Sequence, residues 1–169
     1  NGAVGGPYVN RWLFEGNEVR LNHTAGINLN NNCIARWNFA HNNGMINIQI
    51  RENDFRYDPN ETRSHGNNNL IEMNESSYAN FAHFAYHNQT AGIKNLIGAD
   101  CIIRGNWVHH NDSRGIWLDV GAVNTIIEDN LVENNFFAGI SVEFGYFTII
   151  RNNVLIDNCM KNEPNGSIV

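Results

Sequence analysis

Two segments carry the residues best suited to chemistry, GIWLDV at 115–120 and GISVEF at 139–144. Both alternate apolar and polar residues with a period of two, the pattern of a half-buried strand. Ile116, Leu118 and Val120 are then expected to face a core, leaving Trp117 and Asp119 outward. In the second segment Ile140, Val142 and Phe144 take the inner positions, with Ser141 and Glu143 outward. Stacked in register, Asp119 and Glu143 stand roughly 4.8 Å apart, one strand spacing. Like charges that close either raise one pKa or draw a cation between them. The first outcome makes Asp119 and Glu143 a general acid/base pair. The second makes a site for a cation such as Ca2+, and a solvated acidic patch is the plain alternative. Trp117 beside them offers a platform for a sugar ring. Trp107, His109, His110 and Tyr86 form a second group suited to proton shuttling or substrate contact, against the plain reading of exposed turn histidines.

The elements that position these side chains are repeats. C101-IIRGNWVHHNDSRGIWLDVG, T125-IIEDNLVENNFFAGISVEFG and T148-IIRNNVLIDNC are near-copies of one another. Two more stand upstream, W12-LFEGNEVRLNHTAGINL and C33-IARWNFAHNNGMINI, and a degenerate sixth is Y78-ANFAHFAYHNQTAGIKNLIG. Self-similarity at a fixed short period marks a solenoid. In this register one asparagine column reads Asn17, Asn38, His83, Asn106, Asn130 and Asn153. A second reads Asn22, Asn43, Asn88, Asn111, Asn135 and Asn158. An amide both donates and accepts, so identical asparagines on stacked coils can bond one another and satisfy buried turns. A further column, Glu15, Arg36, Phe81, Arg104, Glu128 and Arg151, nearly alternates in sign and predicts a surface ion-pair ladder. Residues 48–77 break the rhythm and are expected to be an irregular insertion. The whole chain, 1–169, is thus expected to form one solenoid domain of about six or seven coils.

Composition agrees. Asparagine accounts for 32 of 169 residues, a content incompatible with a helical bundle. Hydrophobic residues at 42% suffice for a continuous core. The longest apolar runs are four or five residues, so no membrane span is expected. A net charge of −6 argues against a nucleic-acid partner. Three widely spaced cysteines, Cys33, Cys101 and Cys159, match neither a disulfide scaffold nor a metal-ligand spacing. Of six N-x-S/T sequons, those at Asn22, Asn88 and Asn111 fall in a ladder, which leaves Asn60, Asn74 and Asn165 as candidate glycan acceptors.

The segments GNEVRLNHTAGI, RGNWVHHNDSRGIWLDV and EDNLVENNFFAGISVEF resemble right-handed parallel β-helix repeat proteins of bacterial extracellular origin. These belong to the superfamily that includes pectate lyases, polygalacturonases and alginate epimerases. The resemblance implies an all-β solenoid with asparagine ladders and a secreted or cell-surface location. It also implies a polysaccharide as partner. Tyr57-Asp58-Pro59-Asn60-Glu61 resembles the Asp-Pro-His-Glu motif of mannuronan epimerases, with Asn60 where that family carries its catalytic histidine. Family members are usually longer and capped, so the chain is expected to be part of a longer β-helix or to associate end to end. Scarce lysine and acidic charge favour hydrolysis of a neutral glycan by Asp119 and Glu143 over lyase chemistry on a polyanion. Trp117, Tyr86, His109 and Trp107 are the expected substrate contacts, with no cofactor unless Ca2+ occupies the carboxylates. A non-catalytic rod in an extracellular filament, spike or surface layer is the other function open to such a fold.

Overall fold

The structure is a computed structural model and describes residues 2–6, 8–51, 67–85 and 89–159. The described residues form twenty short strands and no helix. The first sheet stacks β1 (Gly2–Gly5), β4 (Ala25–Leu29), β7 (Ile46–Arg51), β10 (Ala91–Leu96), β13 (Arg114–Leu118) and β17 (Ala138–Val142). The second stacks β2 (Leu13–Glu15), β5 (Ile34–Arg36), β8 (Leu70–Glu72), β11 (Ile102–Arg104), β15 (Ile126–Glu128) and β19 (Ile149–Arg151). The third stacks β3 (Glu18–Arg20), β6 (Phe39–His41), β9 (Glu75–Ser77), β12 (Trp107–His109), β16 (Leu131–Glu133) and β20 (Val154–Ile156). A small parallel pair, β14 (Ala122–Val123) and β18 (Gly145–Tyr146), extends two of the turns. Every strand pairs in parallel with its equivalent one coil away, which is a parallel β-helix of six coils.

Inward side chains make continuous columns because the register is exact from coil to coil. Ile27, Ile48, Ile93, Ile116 and Ile140 align down the first sheet, and all are fully buried. Ile71, Ile103 and Ile127 do the same in the second, and Val108 and Val132 in the third. Identical β-branched residues stacked one strand spacing apart interlock without a gap, and their stiff χ1 suits a strand. Val120 and Phe144, expected inside, are exposed: each lies beyond its strand, where the alternation of two no longer applies.

The first asparagine ladder runs Asn17, Asn38, Asn74, Asn106, Asn130 and Asn153. At each rung Nδ2 donates to the next Oδ1 over 2.9 to 3.0 Å, and the backbone amide donates to the same oxygen. The left-handed turn falls on the residue before the asparagine, at Gly16, Trp37, Met73, Gly105, Asp129 and Asn152. The asparagine is thus the clamp across the turn and its predecessor the bend.

Here the expected register is corrected. Asn74, not His83, supplies the third rung, and Glu72, not Phe81, the matching position in β8. Residues 67–77 are therefore part of a regular coil, and β7 extends to Arg51, so both ends of the expected insertion at 48–77 belong to the repeat, while 52–66 lie outside the described residues. That coil hid because its strand reads Glu75-Ser76-Ser77 where the template has valine, and because Ala79 stands where its second asparagine should be. Asn47 makes good the gap. Asn43 donates to its Oδ1, while its Nδ2 donates to the Ser77 carbonyl and to Ser76 Oγ. Ser76 therefore occupies the valine column to meet an amide. The second ladder resumes as Asn111, Asn135 and Asn158. Asn88 lies outside the described residues. Asn74 is buried in a ladder, so it no longer qualifies as a glycan acceptor. Asn60 and Asn165 fall outside the described residues.

On the second sheet the surface column alternates without a break: Glu15, Arg36, Glu72, Arg104, Glu128, Arg151. Ion pairs of 2.6, 2.7 and 2.7 Å link Arg36 to Glu15, Arg104 to Glu72 and Arg151 to Glu128. Cys33 and Cys101 are buried and Cys159 half-buried. Burial pushes the Cys101 thiol up to about 11, which leaves it unreactive.

Candidate functional site

The outer face of the first sheet carries two columns. One reads Asn28, Gln49, Lys94, Trp117, Ser141, each in register with the next. In the other, Leu96 of β10 pairs with Arg51, and Asp119 and Glu143 follow β13 and β17. The Asp119 amide donates to Asn95 and the Glu143 amide to Leu118, so these two acids sit on adjacent coils as the alternation requires.

Their chemistry differs from the expected acid pair. Lys94 Nζ lies 2.7 Å from Asp119 Oδ2. Asp119 Oδ1 accepts the Val120 amide at 2.7 Å, so both carboxylate oxygens are engaged. Glu143 is exposed beside the pair. Of the two outcomes that follow from stacked carboxylates, the structure takes the cation, and the cation is a lysine of the preceding coil. Asp119 is thus tied to Lys94 and to the Val120 amide, whereas Glu143 stands exposed, so the two carboxylates expected as an acid/base pair sit in unlike surroundings.

Lys94 is 0% exposed, and Trp117 and Asp119 are 3% exposed. Trp117 is therefore no open platform for a sugar. Its indole instead receives Lys94 Nζ at 3.5 Å and the Arg114 guanidinium at 4.0 Å from the ring centroid. Arg114 also sits 4.6 Å from the Phe137 ring. Gln89 Oε1 accepts a second hydrogen bond from Lys94 at 2.6 Å. Among the described residues the Trp117 indole N–H has no acceptor. Burial pulls the Lys94 amine down from 10.5 to about 8; the hydrogen bond and charge of Asp119 pull the other way, Arg114 adds to the lowering, and Glu143 opposes it. Sequence reading missed Lys94, although its signal was present: GIKNL aligns with GIWLD, and by period two Lys94 stands outward, next to Trp117.

The remaining expected contacts do not join this site. Trp107 and His109 lie on β12 of the third sheet, and Tyr86 lies outside the described residues. The Asp-Pro-Asn-Glu stretch at 58–61 also lies outside them. No group of three or more His, Cys, Asp or Glu among the described residues is arranged to hold a metal ion. No helix of the described residues is long and apolar enough to cross a membrane.

Stacked parallel coils, inward isoleucine columns and asparagine-clamped turns define the class as a β-helical solenoid. The chain matches the family model described as right handed beta helix region over residues 8–169, and it belongs to that family. A search of curated proteins returns no match. Among solved structures it is similar to the A-module of the Azotobacter vinelandii mannuronan C-5 epimerase AlgE4. That match has 15% identity and a TM-score of 0.59, covering 96% of this chain and 52% of that one. It is also similar to a mutant of the periplasmic alginate epimerase AlgG, with 14% identity, a TM-score of 0.60, and 93% and 39% coverage. A third similar structure is the enzymatically active domain of bacteriophage CBA120 tailspike protein 2. There identity is 12% and the TM-score 0.57, with 92% and 24% coverage. The chain thus spans about half or less of the length of each of these structures.

Proposed function

We propose that this chain acts on an acidic polysaccharide outside the cytosol, holding it along the outer face of the first sheet, with Lys94 and Asp119 as the reactive pair. The observation that carries the reading is the burial of that pair on the outward side of the sheet. Removing two charges from water costs several kcal/mol per ion before pairing returns any of it. A rod gains nothing from such a pair, whereas proton transfer does, because a lysine lowered to about 8 is partly unprotonated near neutrality. Lys94, as the free amine, then takes the proton from the carbon beside a uronate carboxylate; the electron pair left behind forms a double bond to the next carbon and expels its glycosidic oxygen, which takes a proton from water, while Asp119 holds the amine in place and Arg114 adds a second cation on the same indole. Two of the similar structures are named as epimerases of mannuronan and alginate, which supports a uronate polymer as the class to try first. The pair is closed to solvent, so a bound sugar must displace the atoms over it.

The test incubates the full chain with alginate and with polygalacturonate, following new anomeric signals by NMR and unsaturated ends by ultraviolet absorbance. Turnover that rises with pH toward about 8 and falls about 100-fold or more in Lys94→Met supports the reading. Turnover unchanged in Lys94→Met, or none with either polymer, overturns it. A non-catalytic rod draws its support from the last described coil, where Ile149, Val154 and Ile156 are exposed and would be covered by a further coil or a second copy.

A further inference from the structure

The third sheet repeats one arrangement twice. Strand β6 reads Phe39-Ala40-His41 and β12 reads Trp107-Val108-His109, with Ala40 and Val108 in the core and the flanking residues outward. Phe39 stacks on His41 with centroids 4.0 Å apart at 19°, and Trp107 on His109 at 4.0 Å and 27°. Each histidine places Nε2 3.2 Å from a glutamate one coil back, Glu18 for His41 and Glu75 for His109. Each places Nδ1 against the side chain of the next residue, which sits in the left-handed turn: Asn42 at 2.7 Å and His110 at 2.9 Å. Trp107 is fixed further by its indole N–H, donated to Glu133 over 2.8 Å. Burial pulls the His109 imidazole below its usual value, which keeps it a neutral stacking partner near pH 7.

The fold does not require this arrangement. The outward pairs of β3, β16 and β20 are Glu18 and Arg20, Leu131 and Glu133, Val154 and Ile156, and their coils close with the same ladders. The two rings are nevertheless exposed, Phe39 at 38% and Trp107 at 42%, and Tyr78, stacked on His110, at 48%. Glu75 lies between Phe39 and Trp107 in register, so the rings are two strand spacings apart, roughly 10 Å. That is close to the length of one disaccharide in an extended chain. The charges here are Glu18, Glu75 and Glu133, with Arg20 already paired to Glu18 at 2.9 Å. Such a face repels a polyanion and accepts hydrogen bonds from hydroxyls.

We infer that the outer face of the third sheet is a second carbohydrate-binding surface, for an uncharged glycan strand whose sugar rings lie on Phe39 and Trp107 and whose hydroxyls donate to Glu75. The apolar side of a sugar ring covers an aromatic face, while rings already locked by histidines lose little side-chain entropy on binding. This surface stands independently of the first-sheet site. The face would hold the protein on a neutral polymer while the first sheet meets an acidic one.

Affinity electrophoresis of the full chain in gels containing hydroxyethylcellulose, galactomannan or xyloglucan, beside polygalacturonate, tests it. Retardation by at least one neutral polymer is expected, weakened about tenfold or more in the Phe39→Ala/Trp107→Ala double variant. Trp107→Phe should retain most of the retardation, and Lys94→Met all of it, with circular dichroism confirming that each variant is folded. No retardation by any neutral polymer, retardation by polygalacturonate alone, or retardation unchanged in the folded double variant overturns the inference. Loss of turnover in Lys94→Met with neutral-polymer binding intact separates this surface from the reactive site.

Discussion

The second sheet and the first both carry lysine or arginine opposite a carboxylate, and the two sets differ in nearly everything else. On the second sheet three pairs, Arg36–Glu15, Arg104–Glu72 and Arg151–Glu128, lie at the surface in a column that alternates sign at every coil. On the first sheet the pair Lys94–Asp119 is shut away beneath an indole that it shares with Arg114. Surface pairs in high dielectric contribute up to about 1 kcal/mol each and serve chiefly to keep the sheet face polar. A buried pair costs desolvation, and its retention points to a use other than stability. Solvent access, more than distance, separates the two, since all these pairs fall within 2.6 to 2.7 Å.

The largest effect expected from breaking this contrast is in Lys94→Met. It strands Asp119 without its cation, and chemical denaturation should show a loss of about 3–5 kcal/mol. Adding Asp119→Leu should return stability to within about 1 kcal/mol of the native chain or better, because neither member of the buried pair is then left without the other. A single variant as mild as a surface one would erase the distinction.

Next comes the amine itself. With Lys94 lowered from 10.5 to about 8, the folded chain releases its proton before the unfolded chain does. Relative to the double variant, stability should therefore rise as pH climbs through that window, and the gain should be absent below about 8. Asp119 holds the value up, so Asp119→Asn should move the amine lower still, read from the 13Cε shift of labelled lysine. An upward move would contradict the assignment of Asp119 as its partner.

The smallest effect belongs to the second sheet. Arg104→Ala should cost under about 1 kcal/mol, and added salt should shrink the difference, since exposed charges are screened over a Debye length. A cost rivalling that of Lys94→Met would mean the ladder is structural in its own right.

Much of this architecture could be read from the residues. The asparagine columns, the apolar alternation and the sign alternation of Glu128 with Arg104 and Arg151 all follow from periodicity, because a solenoid reports each coil in the same letters. Reading failed where a coil departed from its template for a local reason. Ser76 stands in place of a valine to meet the Asn47 amide, and Ala79 in place of an asparagine, so residues 67–77 read as part of the irregular insertion and the register slips onto His83. The site was half legible. The adjacency of Asp119 and Glu143 followed from period two, whereas partnership with Lys94 is diagonal between columns and depends on rotamers and burial that no spacing encodes. Whether an outward residue is also exposed depends on what lies over the sheet. That is why Trp117, outward by period two, reads as an open sugar platform and is instead 3% exposed.

The amide that Asn47 lends across the gap at Ala79 bears on how the rod would respond to tension. Strand-to-strand hydrogen bonds here run along the coil axis, so tension between the two end coils bears on every coil-to-coil junction in series. Where the second ladder is whole, each rung links like to like at 2.8 to 2.9 Å. At the gap the line passes through a side chain borrowed from β7, and its onward contact to Asn111 is stretched to 3.5 Å. Stretched mechanically, the rod should part there first, leaving its two ends as intact stubs.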